Sequence, residues 1–370
     1  YDEIRQIFDD QKRIIRTEYY VNGQLALNSR QIAAWEREYD DQSLVIMEQY
    51  FGTENEPIYS PDGYHRIERE YDDQKLVAVE RYFGNENEPI LGKGGYHEIR
   101  RTWLDSRHAT SEAWFDVDGQ PMALKDTYAR IEREFDERGN TVVARYYDGE
   151  GNPIACKDGY DEIRQVFDDQ NRIIRTEYYM GGQLVLNSRQ IAVWERNYNE
   201  QNLVIMEQYF GTENEPIYSP DGYHRIEREY DDQKRVTVER YFGNEGEPIL
   251  NPRGVAIWER DYNENGQVIA ERYFGTDGAP ILNPQGIAAV ERDYNEDGKV
   301  IAERYFGTDG ASILNPGGYH RIDYTYDEKG NKIWEEYFDS EGEPAQNADG
   351  YVRRIITYDE EGKVTENYYE

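Results

Sequence analysis

A tyrosine followed directly by a phenylalanine recurs at Tyr50/Phe51, Tyr82/Phe83, Tyr209/Phe210, Tyr241/Phe242, Tyr273/Phe274 and Tyr305/Phe306. Adjacent residues of a strand point to opposite faces, so one ring of each pair is expected inside and the other near the surface. A row of exposed rings at Tyr50, Tyr82, Tyr209, Tyr241, Tyr273 and Tyr305 could stack on sugar faces or quaternary ammonium groups. The plainer reading uses both rings to close a seam between repeats.

Charged steps form a second recurring set: Glu36-Arg37, Glu68-Arg69, Glu227-Arg228, Glu259-Arg260 and Glu291-Arg292. Such alternation fixes strand register and guards exposed edges, each pair contributing about 0–1 kcal/mol. A catalytic centre is one constellation, whereas these groups are multiplied along the chain, so no enzyme is expected. Asp293-Tyr294-Asn295-Glu296-Asp297-Gly298 imitates the opening of a calcium loop. Arg304 stands where that loop needs its bidentate acid, with Glu303 one place early. The string reads as a hairpin turn. Weak calcium binding by the surplus acids stays open, and no other cofactor is expected.

His65, His97, His224 and His320 share one repeat position and read as surface or seam residues, too far from the single Cys156 to suggest zinc. His108 lies near Trp103 and Trp114 in the most divergent copy, where Leu104 replaces the turn acid, and marks a kink or a docking spot. No nucleophile elbow, P-loop, dinucleotide fingerprint or metalloprotease helix occurs.

The elements that carry these residues follow from a repeat. Units begin at Gln31, Gly63, Gly95, Thr127, Gly159, Gln190, Gly222, Gly254, Gly286, Gly318 and Gly350, after a clipped copy from Tyr1. The spacing is 32 residues, except for one residue less between Gly159 and Gln190. Residues 1–91 return nearly unchanged at 160–250, which points to a block duplication within one continuous array over 1–370. In the unit from Gly254, two β-prone runs, Ala256 to Tyr262 and Val268 to Phe274, flank Asn263-Glu264-Asn265-Gly266. This is hairpin chemistry, with a type I turn and a bulge at the glycine. A second turn, Gly275-Thr276-Asp277-Gly278, precedes Pro280-Ile281-Leu282, and Asn283-Pro284-Gln285-Gly286 leads to the next unit. Helical repeats of similar period are the competing reading. Gly139, Gly266, Gly298 and Gly330 stand against them, since a helix interior loses about 1 kcal/mol at each.

Register is open on sequence grounds. The bulged turn pairs Tyr262 with Val268 and sets Glu259 against Glu271, a like-charge pair. A two-residue turn would pair Glu259 with Arg272 and Arg260 with Glu271. Turn chemistry selects the first. Copies without the turn glycine, such as Asp72-Asp73-Gln74-Lys75, are expected to differ. A lone hairpin is marginal in water, so the units must stack, with Trp258, Tyr262, Val268 and Phe274 meeting the same positions of the next copy. The expected fold is all-β: an elongated solenoid or ribbon of about twelve such hairpins. The last copy slips out of step at Tyr368 and Tyr369.

Composition bounds the partners. The chain has 370 residues, 37% of them hydrophobic, and a formal net charge of −34. Such a field disfavours nucleic acid and anionic membranes, and no apolar stretch is long enough for membrane insertion by a helix. The 34 tyrosines, 11 phenylalanines and 6 tryptophans argue for order rather than disorder. Tyr1 opens inside a repeat without an initiator Met, which suggests a processed chain or a fragment.

Tyr326-Asp327-Glu328-Lys329-Gly330 and Tyr358-Asp359-Glu360-Glu361-Gly362 resemble the core of the YD repeats of RHS-type bacterial proteins. Tyr273-Phe274-Gly275-Thr276-Asp277-Gly278 is similar to a segment of bacterial glucan- and choline-binding cell-wall repeats. The period is longer than in either family, and the Gly-Trp step of choline-binding repeats is missing, so no ligand site carries over. The resemblances imply hairpin arrays of bacterial surface type. The expected role is a non-enzymatic structural or interaction array, an extracellular or cell-surface stalk, spacer or self-associating fibre. Its partners would be neighbouring arrays or a surface glycan. The alternatives are a glycan- or cell-wall-binding module and a length-setting tail of an enzyme outside this chain.

Overall fold

A computed structural model describes residues 1–124, 127–359 and 362–370. The type hairpin is formed by strands Ile257–Tyr262 and Val268–Phe274. Its turn is closed twice: the Gly266 N–H donates to the Asn263 carbonyl at 3.0 Å, and the Asn263 N–H to the Gln267 carbonyl at 3.0 Å. Gly266 takes φ +82°, the left-handed conformation that a type I turn with a bulge requires. Tyr262 then pairs with Val268, as turn chemistry predicts.

The charge pairing expected from that turn does not occur. Asp261 pairs with Ala270, so Ile269 is an extra residue on the second strand. This second bulge moves everything beyond it by one position, and Glu259 meets Arg272 while Arg260 meets Glu271. Turn geometry and charge complementarity are therefore both satisfied. The same shift interrupts the equivalent hairpins Arg66–Tyr71/Val77–Phe83 and Arg225–Tyr230/Val236–Phe242. The final hairpin, Arg353–Tyr358 with Val364–Tyr369, pairs without any shift. Its second strand has one residue fewer, and the residue lost is the bulge, which accounts for the slip at Tyr368 and Tyr369.

Copies lacking the turn glycine do not differ. Lys75 adopts φ +64°, Ser43 +66° and Lys234 +66°, and the Lys75 N–H still reaches the Asp72 carbonyl at 2.9 Å. A carboxylate holds the loop: Asp72 Oδ1 accepts the N–H groups of Gln74 and Leu76, both at 2.9 Å.

One turn design serves three times in the type repeat. Gly278 N–H reaches the Gly275 carbonyl at 3.1 Å and Gly286 N–H the Asn283 carbonyl at 2.8 Å, matching Gly266 with Asn263. Unit starts that are not glycine keep the same left-handed backbone, with φ +59° at Gln31, +79° at Thr127 and +60° at Gln190. Between the last two turns Pro280 makes a single bridge to Phe274. Within each compact unit the second strand of a hairpin pairs antiparallel with the first strand of the next, as Ala270, Glu271 and Arg272 do with Glu291, Val290 and Ala289.

The protein is all-β, built of tandem antiparallel hairpins with no helix among the described residues. Accordingly, no helix is long and apolar enough to cross a membrane. Contacts gather the chain into two compact units, Tyr1–Ala192 and Val193–Glu370. In the first, buried clusters form around Ile32, Tyr50, Tyr64 and Ile67, and around Ile99, Trp114, Ile131 and Ala144. In the second, Val255, Tyr273, Ile287 and Val290 form one, with Trp258 packed against it. Each draws on successive repeats, so burial is shallow and shared. The expected seam residues Tyr262, Val268 and Phe274 are not in that cluster. The extra residue at Ile269 puts Tyr273, not Phe274, opposite Trp258.

Candidate functional site

The second bulge decides which ring of each Tyr-Phe pair is buried. Tyr50, Tyr209, Tyr241 and Tyr273 lie in the core, and Tyr82 and Tyr305 are half-buried. The rings build ladders with the tyrosine that opens the next repeat. In the first unit, Tyr50, Tyr64, Tyr82 and Tyr96 follow at centroid separations of 6.0, 5.2 and 5.8 Å. In the second, Tyr305, Tyr319, Tyr337 and Tyr351 follow at 5.9, 4.8 and 5.7 Å. Burial pushes the Tyr273 and Tyr146 hydroxyls up to about 12. The paired phenylalanines sit on the opposite face beneath guanidiniums: Arg66 lies 4.3 Å from the Phe83 ring and Arg225 4.1 Å from Phe242.

The ladder tyrosines that lie on second strands, Tyr50, Tyr82, Tyr305 and Tyr337, carry a carboxylate two residues earlier on their own face. Tyr305 Oη donates to Glu303 at 2.8 Å and Tyr337 Oη to Glu335 at 2.9 Å, and Tyr50 and Tyr209 donate likewise to Glu48 and Glu207. These carboxylates also hold the arginines of the Glu-Arg steps, within a hairpin and across to the next. Arg228 and Arg260 both bind Glu239, at 3.3 and 3.1 Å, while Arg292 binds Glu271 at 2.8 Å and Glu303 at 3.0 Å. In the first unit Glu80 holds Arg69 and Arg101, and Glu112 holds Arg101 and Arg133. The Glu of each step faces the other way. The ladder is interrupted at Gln165 and Thr176, whose pairing replaces Arg with Glu, and at their duplicates Gln6 and Thr17.

The shared-position histidines are buried in the seam. His97, His224 and His320 donate Nδ1–H to the carbonyls of Tyr82, Tyr209 and Tyr305 at 2.8, 2.7 and 2.7 Å. Each meets the neighbouring phenylalanine edge-on, as His224 does Phe210 at 5.3 Å. Burial lowers the His65 and His224 imidazoles below their usual value. In the divergent copy, His108 Nδ1 binds Asp105 at 2.8 Å across the turn, and its ring packs on Phe135 at 4.8 Å.

Sequence reasoning missed one recurring contact. In several copies a tyrosine closing the first strand reaches back to the preceding hairpin: Tyr262 Oη donates to the Val236 carbonyl, Tyr294 to Val268 and Tyr326 to Val300, each at 2.8 Å. Tyr71 does so to Val45, and Trp103 uses its indole N–H on Val77, also at 2.8 Å. The accepting carbonyl belongs to the residue just before the second bulge. The only signal in the sequence was an aromatic residue at constant spacing before each turn.

The calcium-like string is a hairpin turn whose first acid is engaged by an arginine. Asp293 binds Arg304 at 2.5 Å, and Asn295 Oδ1 accepts the Lys299 N–H at 2.9 Å. No group of three or more potential metal ligands converges among the described residues. Of the two YD-like strings, Tyr326-Asp327 shows the clamp and the capped turn, Asp327 Oδ1 accepting the Asn331 N–H at 2.7 Å. The other includes Glu360 and Glu361, which lie outside the described residues.

No family model matches the chain. No curated protein matches it. Solved structures with some likeness include a TcdB2-TccC3-TEV crystal structure, at TM-score 0.30 and 11% identity over 98% of this chain and 19% of that one. TcdB2-TccC3 without its hypervariable C-terminal region gives 0.31 and 11% over 96% and 17%. A Tc holotoxin pore of Photorhabdus luminescens gives 0.27 and 12% over 98% and 21%. The chain thus spans about a fifth of the length of these structures. Scores this low lend no weight to any shared role.

Cavities open at equivalent places in two successive repeats whose opening position holds Val255 or Ile287 instead of tyrosine, the earlier one, of about 490 Å³, lined by Tyr223, Ile226, Tyr241, Asn251, Pro252 and Arg253. The later one, of about 390 Å³, opens beside Trp258, lined by Arg253, Val255, Tyr273, Asn283, Pro284 and Gln285. The Trp258 indole N–H is buried without a hydrogen-bond partner, and the guanidiniums of Arg260 and Arg253 lie 3.8 and 4.8 Å from its ring.

Proposed function

We propose that this array is a non-enzymatic scaffold, a spacer or self-associating stalk displayed outside the cell or on its surface. The supporting observation is that the polar groups offering chemistry are engaged in holding one hairpin to the next. The ladder arginines bridge carboxylates of successive hairpins, and the clamp tyrosines bind the preceding strand. The turn likeness to YD repeats of bacterial surface proteins agrees with this placement.

A glycan-binding module built on the tyrosine row would need open ring faces, and most of those rings are in the core. A scaffold whose span is set by copy number should tolerate loss of one copy. Deleting residues 254–285 joins Arg253 to Gly286 and preserves every repeat junction. The shortened chain should keep its β-type circular dichroism per residue and unfold cooperatively, and sedimentation at rising concentration should report self-association. Collapse of the fold on removing one copy, or saturable binding on a broad glycan array abolished by changing Tyr241, Tyr273 and Tyr305 to Ala, would instead favour the competing module.

A further inference from the structure

The seam contains one vacant ring position. Each repeat supplies an aromatic ring either one residue after its start or four residues after it. Tyr64, Tyr96, Tyr128, Tyr160, Tyr223, Tyr319 and Tyr351 take the first place, and Trp35, Trp194 and Trp258 the second. The unit from Gly286 has Ile287 and Val290 there, and so has a ring in neither.

Neighbouring repeats show where the missing ring would lie. A Cβ added to Gly94, or to Gly317, would strike the ring of Tyr96 or Tyr319 at 2.3 or 2.6 Å. The opening tyrosine therefore covers the residue just before its unit, which here is Gln285. A Cβ on Gly92 would touch the Tyr82 ring of the preceding repeat at 3.0 Å, and the equivalent pair here is Asn283 and Tyr273. Tyr273, Asn283 and Gln285 all line the cavity beside Trp258. The cavity occupies the place that a tyrosine ring fills elsewhere, and its volume falls within the ~300–1,000 Å³ range of small-molecule sites.

Charge narrows the occupant. Arg253 stands at the cavity, and among the described residues its guanidinium contacts the Trp258 ring and no carboxylate lies within ion-pair distance. Most arginines of this strongly acidic chain are paired; this one is left with its donors available. Guanidinium recognises carboxylate through paired hydrogen bonds, while Trp258, Tyr273 and Pro284 supply flat apolar walls.

We propose that this cavity binds an aromatic carboxylate, its ring in the vacant seam position and its acid on Arg253. The ligand is either a small free aromatic acid or a peptide segment with a tyrosine beside an acidic residue, since both present the same chemistry.

Calorimetric titration of the full chain with 4-hydroxyphenylacetate tests it, with 4-hydroxyphenylacetamide as the uncharged twin and a capped Gly-Tyr-Asp-Gly peptide as the second source. Saturable one-to-one binding of the acid is expected, weaker for the amide by on the order of tenfold, as the loss of one charge-assisted contact implies. Ile287→Tyr restores the ring, should raise the thermal midpoint and should abolish binding. Ile287→Val keeps the cavity open and should bind as the parent does. Arg253→Gln should erase the difference between acid and amide. Tighter binding of the peptide than of the free acid identifies a peptide segment as the source, and the reverse order a small acid. The proposal is overturned if neither acid binds at millimolar concentration, or if Ile287→Tyr binds as well as the parent.

Discussion

At the scale of single residues, some contacts joining one repeat to the next are single polar bonds. The Tyr294 hydroxyl illustrates this, since it satisfies a backbone carbonyl beside the bulge at 2.8 Å. Tyr294→Phe keeps the ring and removes only that bond, and it should cost about 1 kcal/mol, with the Val268 carbonyl left unpaired. Denaturant unfolding of the two proteins measures it. A change within error would mean that water replaces the hydroxyl freely and that the clamp is incidental. The position was visible in the sequence as an aromatic residue, most often tyrosine, before the first turn of a repeat. Its partner was not, because it lies 26 residues earlier in another hairpin.

At the scale of the element, the hairpin is defined by two bulges, only one of which has a sequence signature. Gly266 and its equivalents advertise the turn bulge, since a left-handed backbone favours glycine. The bulge at Ile269 uses an ordinary β-branched residue, and nothing in its type announces an unpaired position. That is why register stayed open in the sequence and why Phe274 was placed in the seam instead of Tyr273. The turn itself is robust enough to force Lys75 to φ +64°, at a cost near 1–2 kcal/mol for a side chain in that region. Lys75→Gly should therefore stabilise the protein by about 1 kcal/mol, less than the full strain because glycine also gains freedom when unfolded. A thermal melt at matched protein concentration checks the sign. A lower midpoint would show that the lysine makes a contact outweighing its strain.

At the scale of the whole molecule, repetition turns a small local effect into a pH dependence. Asn140 and its N–H groups hold the Asp136 carboxylate below the ordinary value of 3.8, the Asn152 N–H does the same for Asp148, and Arg172 does so for Asp168. A carboxylate depressed in the folded state stabilises above its unfolded value, and that stability is lost as pH falls through the folded one. The midpoint should thus hold from neutrality to about pH 4 and drop below it. Changing all three to Asn keeps a cap of the kind seen at Asn263 and Asn295, and should flatten the acid limb. An unchanged acid limb would place the sensitivity in the Glu-Arg ladder instead.

The sequence by itself determined the period, the strands, the turns and the shallow shared core, because these depend on residue type at short range. Only the tertiary structure decided which ring of each pair is buried, how one carboxylate serves two arginines, and where a ring is missing beside Trp258. Those outcomes follow from a single unpaired residue per hairpin, which reverses the inward face of the strand, and from contacts between copies. Neither leaves a mark in the spacing of one repeat read alone.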